Sequence, residues 1–321
     1  MRLTSREKEL FEVLKNEPLI SQDELSRRFG ITRSSVAVHI SNLMKKGVIL
    51  GKGYVFNEQV SIVIVGESYM KVSINTEDNN HRVDIGYGGF GLDIGRVFTN
   101  FGIGVKLISI LGNDDLGSNI LNELQEKNID TFNIYKHPEK RSCRKVIVNN
   151  ALMFEENFSH NEYEKAIDTR EWVAFNCEWL LVEPQFQEDI CRRALGKDEE
   201  KLPYFCTYRY MDCPDDIPEY LSKYSYLVLG VKDAKGLEFY GEKVYDLVKG
   251  SSNQNCIVTD GSSRLLCYNN QAINDFPLLP NQNFTGNEGM CSLLAGLIYG
   301  IASGYPLRQA VRIAIGNASI Q

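Results

Sequence analysis

From residue 61 onward, short apolar runs alternate with segments of helical periodicity. Ile62–Val65 is one such run and Val105–Leu111 is the next, with a helix predicted between them at Leu92–Phe101. A continuous apolar run of this length is typical of a strand that is buried on both faces of a sheet. Strands that alternate with helices predict an α/β fold, built on a mostly parallel, doubly wound sheet.

The same pattern continues to the end of the sequence. Further strands are predicted at Trp179–Val182, Tyr226–Leu229 and Cys256–Thr259, and the aromatic run Tyr204–Met211 is interpreted as a core strand and its edge. Further helices are predicted at Ser118–Lys127, Gln187–Leu195, Pro218–Tyr224, Glu238–Lys249 and Met290–Ser303, and a glycine-rich turn is predicted at Gly86–Gly91.

The first 57 residues have a different organisation, with three short helices followed by a hairpin. Ser21 and Glu24 have the spacing of a capping box for the second helix, which Gly30 ends in a left-handed turn. Thr32 is predicted to cap the third helix, Arg33–Lys46. Two β-prone runs within residues 47–56 predict the hairpin. A helix, a short turn with glycine and a second helix form the pattern that places a recognition helix in the major groove of DNA.

Charge divides the chain at the same point. Residues 1–57 carry 10 Lys+Arg against 6 Asp+Glu, a net of +4, whereas the remainder carries 25 against 36, a net of −11. A basic head on an acidic body predicts that only the head meets a polyanion. Residues 1–57 resemble the winged helix-turn-helix domain of the biotin repressor and related regulators, and this resemblance implies binding to double-stranded DNA.

The candidate DNA contacts lie on the third helix and the hairpin. Candidates for base edges and nearby phosphates are Thr32, Arg33, Ser34, Ser35 and His39. Candidates for backbone phosphates are Lys45, Lys46 and Lys52. The alternative is a winged helix that binds protein and has a solvated charged face.

Residues 61–321 carry a series of glycine motifs in a fixed order. Gly88-Gly89 opens a helix, Gly112-x-Asp114-x-x-Gly117 follows, and Thr259-x-Gly261 comes later. Residues 283–289, Asn-Phe-Thr-Gly-Asn-Glu-Gly, precede the last long helix. In order and spacing these motifs resemble the ribokinase-like (PfkB-type) carbohydrate kinase family, which implies a ribokinase-like domain with a small β lid. The lid is expected at Met70–Tyr87 and Asp130–Ala151. The family often continues past the point where this sequence stops, so the resemblance predicts a shortened terminal segment.

The resemblance also indicates that the kinase site is degenerate. Family members transfer the γ-phosphoryl group of ATP to a hydroxyl, which requires a base and an anion hole. The position of the family's catalytic Asp is Gly289 here, so no catalytic residue is expected. The degenerate anion hole comprises Thr285, Gly286, Asn287 and Glu288. Glu288 would compete with phosphate for the positive end of the helix dipole.

Other positions of the family pattern have changed as well. The candidate ligand pocket comprises Lys71, Gly88, Gly89 and Asp93. Lys71 stands where the family has a sugar-binding Asp, and this charge reversal favours an anionic ligand such as a sugar phosphate. The nucleotide-side candidates are Asp233, Thr259 and Gly261. Asp233 is the surviving acid of an Asn-x-x-Glu motif, and Arg264 replaces an expected glycine. Each of these residues also has a plain interpretation as a turn glycine, a helix-capping acid or an exposed lid residue.

We therefore predict a cytoplasmic, homodimeric transcriptional regulator, whose PfkB-type body senses a sugar, nucleoside or sugar phosphate. No cofactor is expected. The alternative is an active sugar or pseudouridine-like nucleoside kinase, which would use ATP and Mg²⁺. A third possibility is a body that only dimerises. The eight cysteines form no CxxC pair and the four histidines are scattered, so no metal site is expected. No apolar run is long enough to span a membrane.

Overall fold

A computed structural model describes residues 3–17, 20–46, 48–51, 55–56, 61–76, 82–149, 151–212, 215–249, 254–270 and 272–319. The helices of the head are α1 Ser5–Asn16, α2 Gln22–Phe29 and α3 Arg33–Lys45. Two short antiparallel strands follow, β1 Ile49–Gly51 and β2 Val55–Phe56.

Strands and helices alternate through the body. Its strands are β3 Ile62–Val65, β4 Tyr69–Asn75, β5 Arg82–Gly88, β6 Val105–Gly112, β7 Ile129–Asp130, β8 Ile134–His137, β9 Arg144–Val148, β10 Ala151–Glu156, β11 Trp179–Val182, β12 Tyr204–Met211, β13 Tyr226–Val231, β14 Asn255–Thr259, β15 Arg264–Tyr268 and β16 Ile273–Pro277. Its helices are α4 Phe90–Asn100, α5 Asp115–Glu126, α6 His160–Asp168, α7 Glu171–Phe175, α8 Gln187–Ala194, α9 Ala234–Val248, α10 Gly286–Ala302 and α11 Leu307–Ala318.

The second and third helices of the head begin at the predicted caps, Ser21 and Thr32. The Thr4 and Glu7 side chains form a capping box at α1, and the Thr32 hydroxyl accepts from the amide of Ser35 at α3. Gly30 has φ 62° and ends α2. The capping box predicted at Ser21 forms only in part. The Ser21 hydroxyl accepts from the amide of Glu24, but the Glu24 carboxylate pairs with Arg27 instead of turning back to the cap.

The head has its own hydrophobic core, which forms where the three helices meet the first strand of the hairpin. Its fully buried members are Leu10, Leu14, Leu25, Val36, Ile40, Leu43 and Ile49. Val36, Ile40 and Leu43 recur at helical spacing along α3, so one face of this helix is buried and the other remains exposed.

The main sheet of the body has the order β16-β15-β14-β13-β12-β11-β3-β6-β7, with β8 also paired to β6. Strands from β14 to β7 pair in parallel, whereas β15 and β16 form an antiparallel extension that the periodicity does not predict. Side chains of β3 alternate between two cores: Ile62 and Ile64 pack with α4, α5, α10 and α11, and Val63 and Val65 pack with α6 to α9. This arrangement is the predicted α/β fold with helices on both faces.

A second sheet of four strands, β10-β9-β4-β5, forms the lid. The first predicted lid segment is confirmed by β4 and β5. The second, Asp130–Ala151, is correct only in part. Lid strand β9 lies within it, but β7 and β8 join the main sheet through β6, and the lid continues in β10 to Glu156.

Two further predictions require correction. Gly86–Gly91 is not a turn throughout, because β5 continues to Gly88 through its pairing with β4. Pro218–Tyr224 contains a short 3₁₀ helix, Glu219–Lys223, in place of an α-helix. Leu221 of this segment is fully buried and packs in the core that contains α6 to α9. Other 3₁₀ turns lie at Pro184–Phe186 and Glu199–Lys201.

Candidate functional site

The carboxyl ends of β3 and β11 bring two glutamates together beneath the lid. Glu67 follows β3, and Glu183 follows β11, which pairs with β3 in parallel. The amide of Glu67 donates to Oε2 of Glu183 at 2.6 Å. The Glu67 side chain is fully buried, with Oε2 3.1 Å from Nζ of Lys145 and Oε1 bonded to the Asn157 amide. These groups lie at the edge of the sheet where parallel strands end, which is the usual ligand position in α/β folds. This region is called the cleft below.

The two glutamates, Glu67 and Glu183, differ in how their negative charges are compensated. Desolvation, reinforced by the neighbouring negative charge of Glu67, raises the pKa of Glu183 well above its ordinary value. Desolvation opposes the charged form of Lys145, but Glu67 and Glu155 outweigh it and raise the pKa of Lys145. Lys145 therefore stays charged and neutralises Glu67, while Glu183 readily holds a proton. The floor of the cleft can thus both accept and donate hydrogen bonds.

Gly88, Gly89 and Asp93 meet at the wall of this cleft. Gly89 has φ 112°, and a β-carbon there would lie 2.6 Å from the carbonyl oxygen of Glu67, so only glycine fits. Oδ2 of Asp93 accepts from the amide of Gly89 at 3.1 Å and lies 3.8 Å from the β-carbon position of Gly88. Desolvation raises the pKa of Asp93. The predicted pocket residues are therefore neighbours in space, and Asp93 also stabilises the entry to α4.

Lys71 reaches from lid strand β4 to Glu288 in the first turn of α10. The two side chains form an ion pair, with Lys71 28% and Glu288 71% exposed. This contact joins the lid to α10 and places a carboxylate at the positive end of that helix. It also neutralises Lys71. The pairing offsets part of the charge reversal that favoured an anionic ligand. The sugar phosphate stays a prediction.

Gly289 is buried at the base of the same turn. A β-carbon at Gly289 would lie 2.6 Å from both the carbonyl carbon and the carbonyl oxygen of Phe284. No side chain fits this position unless the backbone shifts. Thr285 begins α10 without a side-chain capping bond, and Gly286 has φ 72°. Asn287 and Glu288 are exposed.

The predicted nucleotide-side turn packs directly on this helix entry. Gly261 has φ 69°, and a β-carbon there would lie 2.2 Å from the carbonyl oxygen of Phe284. The Phe284 amide donates to the carbonyl of Gly261 at 2.8 Å. Oγ1 of Thr259 donates to the carbonyl of Arg264 at 3.0 Å and accepts from the Gly261 amide at 3.0 Å. The two turns therefore form one unit around Phe284.

Asp260 holds the shape of this turn. Its Oδ1 accepts from the amides of Ser262 at 3.0 Å, Ser263 at 2.8 Å and Arg264 at 3.3 Å. Desolvation opposes ionisation, but these bonds and the Ser263 hydroxyl lower the pKa of Asp260. Its oxygens are used by the turn itself, so Asp260 has a structural role.

Among the described residues, Asp233 has no hydrogen bond to the turn at residues 259–264 or to the first turn of α10. Its Oδ1 accepts from the amide of Gly236 at 3.0 Å, which caps α9. This is the plain helix-capping role that the sequence also allowed for the acid.

The exposed N-terminal end of α3 carries the predicted base-contacting residues. Arg33 is 68% exposed and lies 3.6 Å from Asp23, and Ser34 is exposed. Thr32 and Ser35 are linked through their hydroxyls at 2.8 Å. Nδ1 of His39 is buried and has no hydrogen-bond partner among the described residues. This end of the helix therefore presents polar groups at the positive end of the helix dipole, where an anion is favoured.

Of the three predicted phosphate contacts, Lys45 alone is exposed in the described structure. The assignment of Lys46 is wrong, because its Nζ lies 2.5 Å from Oε2 of Glu7 and the two side chains are only 5% and 3% exposed. Lys46 thus joins α3 to α1 inside the head. Lys52 lies outside the described residues.

Sequence reasoning missed Glu67, Glu183 and Lys145. A usable signal was present for the two glutamates, because each directly follows a buried strand whose carboxyl end lies at the ligand edge of the sheet. Lys145 gave no such signal, since its place depends on β9 pairing in parallel with β4. That pairing joins residues more than seventy positions apart.

Family models match both parts of the chain. The one described as pfkB family carbohydrate kinase matches residues 59–201. The one described as winged helix-turn-helix DNA-binding matches residues 3–49. A protein of Escherichia coli (strain K12) named "Uncharacterized sugar kinase YeiI" is 24% identical, over 99% of this chain and 93% of its own length.

Solved structures share the fold of the body. A ribokinase from Thermotoga maritima is 17% identical, with a TM-score of 0.61 over 81% of this chain and 92% of its own. An adenosine kinase from Schistosoma mansoni, in complex with adenosine and AMP, is 13% identical, with a TM-score of 0.63 over 82% of this chain and 95% of its own. At these identities the likeness shows a ribokinase-like α/β fold. No helix among the described residues is long and apolar enough to cross a bilayer.

Proposed function

We propose that this chain is a DNA-binding transcriptional regulator that joins a winged helix-turn-helix domain to a PfkB-type domain. The family models that match residues 3–49 and 59–201 support this organisation. Its PfkB domain recognises a small hydroxyl-rich ligand and does not phosphorylate it. We assign residues 1–57 to the DNA-binding domain and residues 61–321 to the ligand-binding domain.

The observation that carries this proposal is the first turn of α10. Phosphoryl transfer requires an acid that accepts the hydroxyl proton and a vacant pole for the anion. Here the pole carries Glu288, which is paired with Lys71, and Gly289 has no room for a side chain. A transferring phosphoryl group would meet a like charge and find no base at this position. These features support recognition without reaction.

The polar groups of the cleft favour a neutral ligand. Glu67, Glu183 and Asp93 are acidic, and the two lysines of the cleft, Lys71 and Lys145, are each paired with a carboxylate. An additional anion would gain little attraction from paired lysines, whereas sugar hydroxyls can donate to carboxylates. A sugar or a nucleoside is therefore the ligand class that we propose.

A thermal-shift panel of sugars, nucleosides, their phosphates and MgATP tests this assignment. We expect a neutral sugar or nucleoside to raise Tm and its phosphate to raise it less. In the Glu288→Gln variant Lys71 loses its partner, so the phosphate is expected to gain affinity relative to wild type. A wild-type protein that responds to phosphorylated compounds alone would overturn the choice of a neutral ligand.

DNA binding is expected to depend on Arg33. Changing Arg33 to Ala should weaken duplex binding by about 1–3 kcal/mol if the side chain contacts a base, and relax specificity at one position. Fluorescence anisotropy with a selected duplex measures the effect. Lys8→Ala is the control, because Lys8 is exposed on α1 away from the recognition helix. Equal affinities of Arg33→Ala and wild type would contradict this placement of α3.

We further propose that two copies of the chain pair through the outer face of the lid. Across the lid register, Phe154, Val146, Val72 and Ile85 lie in one row, and Val83 lies in the next row of the same face. Phe154 is 54%, Val83 60% and Ile85 72% exposed. An apolar sheet face of this kind marks an interface, and a symmetric pair would present two heads to two half-sites.

The lid interface predicts that Ile85→Asp produces monomers. A charge placed in an apolar interface loses hydration without gaining a partner, so dimerisation should weaken by at least about tenfold. Light scattering after size-exclusion chromatography measures the mass. Phe132→Asp is the control, because Phe132 is 90% exposed outside the lid. If both variants elute with the mass of the wild type, the lid is not the interface.

A second candidate is an active sugar or nucleoside kinase. Similarity over nearly the whole chain to a relative named a sugar kinase favours it. Under this alternative Asp93, with its raised pKa and its place in the cleft, is the acid available to a hydroxyl. ATP-dependent turnover that is lost in Asp93→Asn would support the kinase and remove the regulator-only interpretation.

A further inference from the structure

A second polar cluster lies between α6 and α8, outside the cleft described above. His160 and Glu164 are one turn apart on α6, and Asp189 comes from the first turn of α8. One ligand atom of each residue lies within 4.8 Å of the others. Residues at i and i+4 share a helix face, so α6 presents both side chains towards Asp189.

The geometry of Asp189 differs from that of an ordinary ion pair. The residue is 4% exposed, and its Oδ2 is buried and has no hydrogen-bond partner among the described residues. Nevertheless Oδ2 lies only 2.9 Å from Nε2 of His160. The two atoms are close, yet the ring N–H is not aligned with the oxygen.

A short distance without an aligned hydrogen bond is also the arrangement of two ligand atoms that bind the same cation. Ligands bonded to one cation at about 2.0–2.1 Å, with angles between about 90° and 110°, are about 2.8–3.4 Å apart. The separation of Nε2 and Oδ2 falls at the short end of this range. Both atoms would then direct a lone pair at the cation and need no hydrogen bond to each other.

We propose that His160 Nε2, Asp189 Oδ2 and a carboxylate oxygen of Glu164 bind one Zn²⁺ ion, with water as the fourth ligand. One imidazole and two carboxylates suit a borderline divalent cation better than Mg²⁺ or Ca²⁺, which prefer oxygen ligands alone. Scattered spacing along the sequence concealed this group, because Asp189 lies 25 residues beyond Glu164 and reaches it only through helix packing.

Arg192 is compatible with this site as a supporting group. Its guanidinium lies 2.6 Å from Oδ1 of Asp189, the oxygen that the cation does not use, and it also contacts Oε1 of Glu164. Hydrogen bonds from outer groups commonly orient carboxylates that ligate metals. Arg192 is 57% exposed, so it can shift on the Glu164 side while keeping its bond to Asp189.

The ion would stabilise the position of the segment that leads from lid strand β10 into α6. Asn157 lies three residues before His160 and bonds to Glu67 on the floor of the cleft. Strand β10 of the lid ends at Glu156, immediately before Asn157. A cation between α6 and α8 therefore fixes the segment that carries the chain from the lid back to the main sheet. The role is structural, because in the part of the chain that the structure describes the site is joined to the cleft groups through this segment.

Isothermal titration of the chelator-treated full chain with Zn²⁺ tests the proposal. We expect one ion per chain and a rise in Tm on binding. His160→Gln and Glu164→Gln should each weaken Zn²⁺ binding by at least about tenfold while the proteins stay folded, since both side chains are partly exposed. His137→Gln is the matched control, because Nε2 of His137 lies 3.1 Å from Glu162 in a comparable pair that lacks a third ligand.

The outcomes separate clearly. Loss of binding in His160→Gln with full binding in His137→Gln supports the site. Absence of Zn²⁺ binding to the wild type overturns it. Equal binding by the wild type and His160→Gln also overturns it, because the metal would then reside elsewhere, for example on a cysteine.

Discussion

Changing Lys46 to Ala is expected to unfold the head of the full chain and abolish duplex binding. The change leaves the carboxylate of Glu7 buried without its cation, because the two side chains are 5% and 3% exposed and 2.5 Å apart. Removing one partner of a buried pair costs about 3–5 kcal/mol. The head is small and its core has only seven buried members among the described residues, so a loss of this size equals much of its total stability.

Hydrogen exchange of amides in α1 to α3, together with duplex affinity at several salt concentrations, measures this effect. Lys45→Ala is the matched control, because Lys45 is the adjacent residue and is exposed. It should keep the head protected, and it should reduce the salt slope of binding by about 1 if it contacts a phosphate. The double change Glu7→Gln with Lys46→Met should recover part of the protection. A folded Lys46→Ala head with a shallower salt slope would restore the phosphate contact that the sequence suggested.

Changing Gly289 to Ala is expected to destabilise the body by about 3 kcal/mol or slightly less. A β-carbon there would lie 2.6 Å from two backbone atoms of Phe284, which cannot move as a flexible side chain can. Phe284 is also bonded to Gly261, so the displacement would spread to the turn at residues 259–263. Costs of overpacking are typically about 1–3 kcal/mol. Gly289→Asp should be at least as destabilised, and it should gain no phosphoryl transfer.

Urea denaturation of the full chain, followed by a probe of the body, measures the loss. Gly316→Ala is the control, because Gly316 lies inside α11 and nothing approaches its β-carbon position within 4 Å. Alanine is favoured over glycine in a helix by about 0.5–1 kcal/mol, so this control should be neutral or stabilising. If Gly289→Ala were as stable as the wild type, the account of this turn would be wrong.

Sequence periodicity predicts the main sheet well because its central strands are buried on both faces. Trp179–Val182 has the predicted bounds, and Tyr226 and Val105 begin their strands as expected. The lid is predicted less well, because its strands are only partly buried and their pairing joins distant segments. The alternation of polar and apolar residues therefore does not fix the register of these strands. Periodicity alone does not show that β9 joins the lid whereas β8 joins the main sheet.

The site residues also differ in whether local backbone geometry or contacts between distant segments determine their role. Gly89 and Gly261 could be predicted because positive φ and close backbone approach demand glycine whatever the ligand. The pairings of Lys46 with Glu7 and of Lys71 with Glu288 could not be predicted, since each joins elements that are remote in the sequence. From the sequence, Lys46 lies at the end of a helix and is predicted to contact phosphate. Only the packing of α1 against α3 shows that its side chain is buried.

The central claim is that the ligand-binding domain we propose at residues 61–321 binds a hydroxyl-rich compound and returns it unchanged. Mass spectrometry of each compound that raises Tm, after incubation with the full chain and MgATP, tests this claim most directly. We expect every such compound to keep its original mass. A compound that gains one phosphoryl group in amounts exceeding the protein would contradict the claim and identify the chain as a kinase.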